Sequence, residues 1–194
     1  MQILITRSNR DFELAYEKLS KAKVLGCDTE TGGLDPRNAE LFSVQFSDGD
    51  FNVLVPTSEG VSLGKLAEIL ENDSITKIFH NARFDLGFLS ANGYKTKNVY
   101  DSMIAEKVLT KGANQSVSLA ETLYRYYAVD LDKAQRKKFG KNWDKVWTKE
   151  LVEYAMNDVV YLPRLRNEQL EWLKRLGLEV DFEILLEKTM SAVK

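Results

Sequence analysis

Cysteine is almost absent from this 194-residue chain, which holds one cysteine among 29 acids and 27 lysines and arginines. One cysteine excludes an internal disulfide and any cysteine-rich zinc site. The place of Cys27 within an apolar run points to a buried, reduced thiol in a reducing cytosol. Long apolar runs are missing too. No stretch reaches about 18 apolar residues, and Arg7, Arg10 and Asp11 interrupt the one apolar segment near the start, so neither a membrane span nor a secretory leader is expected. A net charge of −2 gives no basic surplus to advertise nucleic acid. Nor does it exclude one, because a metal site concentrates acid and can bind phosphate through its ions. No Gly-x-x-x-x-Gly-Lys-Ser/Thr occurs, which sets aside a P-loop enzyme, and repeats at solenoid periods and low-complexity tracts are absent. A soluble, cytoplasmic, monomeric globular protein is expected.

What is present favours one domain. With 44% hydrophobic residues the chain can bury one substantial core, and Gly177 offers the one plausible boundary. Strands are expected over Gln2 to Thr6, Val24 to Glu30, Leu41 to Ser47, Phe51 to Pro56 and Lys77 to His80. The turn sequence Asp48-Gly49-Asp50 supports an antiparallel hairpin between the third and fourth. Helices are expected over Asn9 to Lys21, Ser62 to Asn72 with Ser62 as its cap, Phe84 to Ala91, Ser102 to Thr110 capped by Asp101, and Ser118 to Ala128. Thr148 to Leu176 reads as one long helical pattern that Pro163 should kink or divide. Leu178 to Lys194 adds an apolar stripe of Phe182, Leu185, Leu186 and Met190, which docks back or binds a partner. The sum is a mixed α/β fold.

Asp28 and Glu30 leave the end of an apolar run just before Gly32, Gly33 and Asp35-Pro36 break the strand. Side chains at i and i+2 of a strand share a face, so the two carboxylates can aim at one point while Cys27 and Thr29 face away. Converging oxygens suit a hard divalent cation. A D/E-x-D/E pair alone is weak, since about four arise by chance in so acidic a chain, and it reads equally as a solvated turn. Strand ends are, however, where open α/β sheets bind ligands.

Two further segments carry candidate chemistry. Asn81-Ala-Arg-Phe-Asp85 puts an amide and a carboxylate four residues apart at a strand-to-helix junction, where the simpler reading of the segment by itself is that Asn81 caps the helix and Asp85 favours its positive N-terminal end. Tyr154-Ala-Met-Asn-Asp158 puts a phenol and a carboxylate one turn apart, where the simpler reading of the segment by itself is Tyr154 in the core and Asp158 in a surface ion pair with Arg164 or a nearby lysine. His80, the only histidine, reads as a packing residue rather than a base. Arg136, Lys137, Lys138 and Lys141, interleaved with Phe139 and Trp143, either follow a single-stranded backbone or form a solvated face.

Together, Asp28-x-Glu30, Asn81-x-x-x-Asp85 and Tyr154-x-x-x-Asp158 resemble the Exo I, Exo II and Exo III motifs of the DEDD exonuclease superfamily in its tyrosine form. The histidine form is excluded, because His80 precedes the second motif. The wording Asp28-Thr-Glu-Thr-Gly-Gly-Leu-Asp-Pro36 and Tyr154-Ala-Met-Asn-Asp-Val-Val-Tyr-Leu162 resembles more closely the proofreading 3′-to-5′ exonuclease domain of the DNA polymerase I family. This resemblance implies a ribonuclease H-like single α/β domain over residues 1–176, with helices on both faces and acids at one edge, followed by a helical extension over 177–194.

The resemblance further implies two divalent metal ions, Mg²⁺ or Mn²⁺. Asp28, Glu30 and Asp158 would bind the first ion, Asp28 would bridge to the second, and Asp85 would hold the second through water. Tyr154 would orient the attacking water, and Thr29, Leu34, Asn81 and Tyr154 would contact substrate, with Leu34 wedging between terminal bases. Leu34 reads equally as an exposed turn leucine. The substrate implied is a single-stranded or frayed DNA 3′ end, degraded to nucleoside 5′-monophosphates in proofreading or repair. A DNA polymerase in cis or in trans is the implied partner. An RNase D-like exoribonuclease is the alternative, and a non-catalytic nucleic-acid-binding module a third reading. The family's usual Ser-Asp-Trp is replaced here by Lys141-Asn142-Trp143.

Overall fold

The computed structural model describes residues 2–111, 113–131, 138–139 and 143–191. One six-stranded mixed sheet organises it. In chain order the strands are β1 (Ile3–Ile5), β2 (Val24–Thr31), β3 (Leu41–Ser47), β4 (Asn52–Val55), β5 (Thr76–Phe79) and β6 (Val99–Asp101), and across the sheet they lie β1-β4-β3-β2-β5-β6. The β3–β4 hairpin is antiparallel, β2 pairs antiparallel with β3 and parallel with β5, and β1 and β6 close the two edges in parallel. The acid-bearing strand β2 is therefore central, and its acids sit near its end rather than on an edge strand.

Period-2 alternation gives β2 and β3 two different faces. Leu25, Cys27, Val44 and Phe46 turn to one side and join α1 (Asn9–Leu19), α2 (Leu66–Glu71) and α3 (Ala82–Ala91) in a core that includes Leu19, Ile69 and Phe88. On the other side α4 (Ser102–Leu109), α5 (Leu119–Tyr127), α6 (Lys149–Asn157), α7 (Leu162–Leu176) and α8 (Glu179–Ser191) pack around Ile78, Leu54, Leu162 and Leu173. Cys27 is fully buried, and burial raises its thiol pKa.

Two points differ from expectation. Helix α2 starts at Leu66, not Ser62, and Lys65 precedes it with no side-chain cap. Gly64 has a left-handed φ of 51° that a helix cannot run through, and Leu63 is drawn fully into the core. The strand β6 was not expected, because three residues carry too little periodicity to read. The long C-terminal pattern is divided as Pro163 led us to expect: α6 ends at Asn157, Asp158 forms its C-terminal cap, and Pro163 sits in the first turn of α7. There proline removes only an N–H that has no helical partner. Helix α8 packs back on α4 and α7, with the Phe182 ring 4.9 Å from that of Tyr100.

Candidate active site

The break between α6 and α7 is seated by a missing side chain. A Cβ on Gly26 would lie 2.3 Å from the Val159 carbonyl oxygen and 3.1 Å from Leu162 Cβ. Only glycine lets this turn approach β2, a close backbone contact of the kind that explains a glycine inside a strand. Asp158 and Val159 are adjacent, so the same contact delivers Asp158 to the face of β2 that carries Asp28 and Glu30. Oxygens of Asp28, Glu30 and Asp158 all lie within 4.8 Å of one another, although about 130 residues separate the first from the last.

Asp85, on the first turns of α3, is 2% exposed and accepts a hydrogen bond of 2.7 Å from the Thr29 hydroxyl. Thr29, expected to touch substrate, leaves β2 on the opposite face from Asp28, and its hydroxyl donates to Asp85. Loss of hydration pushes the Asp85 carboxyl up to about 7, against the lowering effect of the Thr29 hydrogen bond. Asp28 is raised well above the usual carboxylate range, first by loss of hydration, then by the charges of Asp85, Asp158 and Glu30. Four acids thus crowd one place, and the fold without a cation pushes at least two of them toward the neutral form. A cluster of carboxylate oxygens that carries this strain fits a hard divalent cation.

Asn81 has a left-handed φ of 75° and makes no side-chain cap to α3, contrary to the capping alternative. Asp101 does that work. Its fully buried carboxylate accepts the N–H groups of Asn81 and Ala82 at 3.1 and 2.8 Å and those of Met103 and Ile104 at 2.9 and 3.2 Å. One side chain therefore anchors the starts of both α3 and α4. Asn81 itself is exposed. His80 is held at both ring nitrogens, 2.9 Å from Ser102 Oγ and 2.9 Å from the Val117 carbonyl oxygen, and burial lowers its pKa to about 4.

Tyr154, on α6, lies beside an aromatic cluster. Its ring is 6.0 Å from Phe139, which is 5.0 Å from Trp143 and 5.6 Å from Trp147, and Phe42 is 4.9 Å from Trp143. Trp147 also donates to Ser58 Oγ at 3.2 Å, and Lys145 pairs with Glu40 at 2.7 Å, so residues 143–147 strap α6 to the β2–β3 side of the sheet. Phe139 and Trp143 pack mainly on other rings, while Arg136, Lys137, Lys141 and Asn142 lie outside the described residues. Leu34 is 82% exposed, the most solvent-facing large apolar side chain described. A cavity of about 680 Å³ beside Leu86, Tyr94, Glu183 and Met190 is lined by none of Asp28, Glu30, Asp85 and Asp158, so concavity alone does not find the site.

Sequence reasoning missed Gly26 and Asp101 as site builders. A lone glycine inside an apolar strand was the available signal for the first; nothing local signalled that Asp101 would reach back to α3.

Comparison with known proteins agrees with this geometry. A family model described as 3′-5′ exonuclease matches residues 3–173. Ribonuclease D of Bartonella henselae is 28% identical over 194 residues, covering 96% of this chain and 46% of that protein. DNA polymerase I of Aquifex aeolicus is 26% identical over 176 residues, covering 90% of this chain and 28% of that protein. This chain thus spans less than half the length of either relative. Among solved structures, Brucella melitensis NrnC with bound Mg²⁺ is 28% identical with a TM-score of 0.82, covering 100% of this chain and 92% of that one, and NrnC has also been solved bound to pGG. Further curated ribonucleases D match as well. The expected closeness to the polymerase proofreading domain gives way to similarity with ribonuclease D and NrnC, and proofreading and a polymerase partner lose their support.

Proposed function

The chain belongs to the 3′-5′ exonuclease family, and from that premise we propose that it is a divalent-cation-dependent exoribonuclease that shortens RNA from the 3′ end to nucleoside 5′-monophosphates. The observation that carries the reading is the convergence of Asp28, Glu30 and Asp158 within 4.8 Å, with Asp85 behind them. RNA is preferred to DNA because ribonucleases D recur among the relatives. The ligand pGG on NrnC makes a dinucleotide a substrate worth testing first.

In this reading Asp28, Glu30 and Asp158 would hold one cation, and Asp85 would help hold a second. A cation there supplies positive charge against the scissile phosphate and makes water acidic at neutral pH. The chain's own groups do the rest. The Tyr154 hydroxyl orients the water. Leu34 meets the terminal base, and Asn81 at the mouth of α3 contacts the sugar-phosphate. Thr29 keeps Asp85 in place.

The test is mononucleotide release from 3′- and 5′-end-labelled single-stranded RNA and DNA, from dinucleotides upward, with Mg²⁺, Mn²⁺ or EDTA, alongside Asp28→Ala and Asp158→Ala. Cation-dependent 3′ shortening of RNA, lost in both variants, is expected. Preference for DNA would replace the substrate assignment, and a folded, cation-binding protein inert on both would leave a binding module.

A further inference from the structure

Ser43, Gln45 and Ser47 form a polar row on β3 that is fully buried. Register places Gln45 opposite Asp28, Ser43 opposite Glu30 and Ser47 opposite Gly26, and directly paired residues of an antiparallel ladder share a face. The row therefore lies on the face carrying the acids, over which α6 packs. Two of its members have clear local partners: Ser47 donates to Asn52 at 2.7 Å, and Ser43 Oγ accepts the Gln45 amide at 2.6 Å. The Gln45 carbonyl oxygen, Oε1, is buried with no hydrogen-bond partner among the described residues. Leaving a buried carbonyl unfilled costs stability, so native folds seldom keep one without an unseen partner.

We propose that Gln45 is a positioning residue for the cation centre: Ser43 fixes its amide, and its carbonyl oxygen accepts a hydrogen bond from water retained by the cation beside Asp28. The inference rests on reading Asp28, Glu30 and Asp158 as a cation site. Mg²⁺ sheds water reluctantly, so a protein site must offer acceptors for the protons of the waters that remain. A neutral carbonyl does this without adding a fifth negative charge to a place where acids already repel one another. Groups that orient a metal's surroundings typically change affinity or activity about 10- to 100-fold when removed.

The test compares the whole chain with Gln45→Met, close in size but without the carbonyl, and Ser43→Ala. Metal-free thermal midpoints and half-saturating Mg²⁺ and Mn²⁺, from titration calorimetry, are measured at one pH. Gln45→Met is expected to keep or raise the metal-free midpoint while half-saturating Mg²⁺ rises about tenfold, and Ser43→Ala to shift it less in the same direction. Half-saturation within twofold of the parent in Gln45→Met, or a metal-free midpoint that falls with the affinity, would make Gln45 a packing residue and overturn the inference. Should Gln45→Met not fold, unchanged half-saturation in Ser43→Ala overturns it alone. A parent protein that binds neither ion overturns the cation-site reading itself, and this inference with it.

Discussion

Replacing Asp85 with asparagine should stabilise the metal-free protein at neutral pH while impairing the site. Asp85 is 2% exposed, and its carboxyl is pushed from the usual 3.8 to about 7. Between those values the native protein holds a proton that the unfolded chain has released. Stability therefore falls as pH rises through that window and stays low above it. At about 1.4 kcal/mol per pH unit, the penalty reaches a ceiling of about 4 kcal/mol by pH 8. For a chain of this length each kcal/mol moves the midpoint by about 2–4 °C, so the ceiling corresponds to roughly 10 °C. Asp85→Asn keeps an oxygen for the Thr29 hydroxyl and removes the charge. Thermal unfolding in EDTA from pH 4 to pH 8 should show the variant and the parent together at the acid end, with the variant increasingly more stable toward pH 8. Added Mg²⁺ should favour the parent and reverse the order. A variant no more stable than the parent at pH 8 in EDTA would refute the account of Asp85 as a buried, strained carboxylate. The comparison must be between variants, because His80 opposes the trend.

His80 sits at about 4 in the fold against a usual 6.5, so its contribution is present above pH 6.5 and lost as pH falls toward 4, by about 3 kcal/mol at most. His80→Gln should flatten that acid limb in thermal scans; parallel curves for parent and variant would contradict it. Gly26→Ala places a Cβ 2.3 Å from the Val159 carbonyl. Overpacking of this kind costs about 1–3 kcal/mol, and the displaced α6–α7 turn should weaken Mg²⁺ binding beyond what the stability loss explains. Calorimetric titration showing parent-like affinity would separate Asp158 from the Gly26 contact.

Much of the site was legible locally. Strand periodicity alone set Asp28 and Glu30 on one face with Cys27 and Thr29 on the other, because side chains alternate at every residue. The Asp48-Gly49-Asp50 turn fixed the β3–β4 hairpin, and Pro163 announced a break in the C-terminal helical pattern. Spacing also put Tyr154 one turn before Asp158. The sugar preference was not legible: the motif residues act on phosphate and water, which RNA and DNA share, so their wording pointed to DNA while the relatives point to RNA.

Tertiary structure decided the rest, and the reason is separation along the chain. Thr29 reaches Asp85 across 56 positions, and whether its hydroxyl serves substrate or a carboxylate depends on where α3 packs. Asp101 caps α3 from 20 positions away, a role that Asn81 would have filled by local rules. Asp158 meets Asp28 only because Gly26 admits the Val159 carbonyl. The raised pKa values of Asp28 and Asp85 arise first from burial, to which the charges of Asp85, Asp158 and Glu30 add at Asp28, and none of this exists until β2, α3 and the α6–α7 turn are assembled. The sequence by itself determined which groups could do chemistry and which way neighbouring side chains point; the packed fold determined which of them meet, since contact between distant segments is set by the surfaces they bury together rather than by any local pattern.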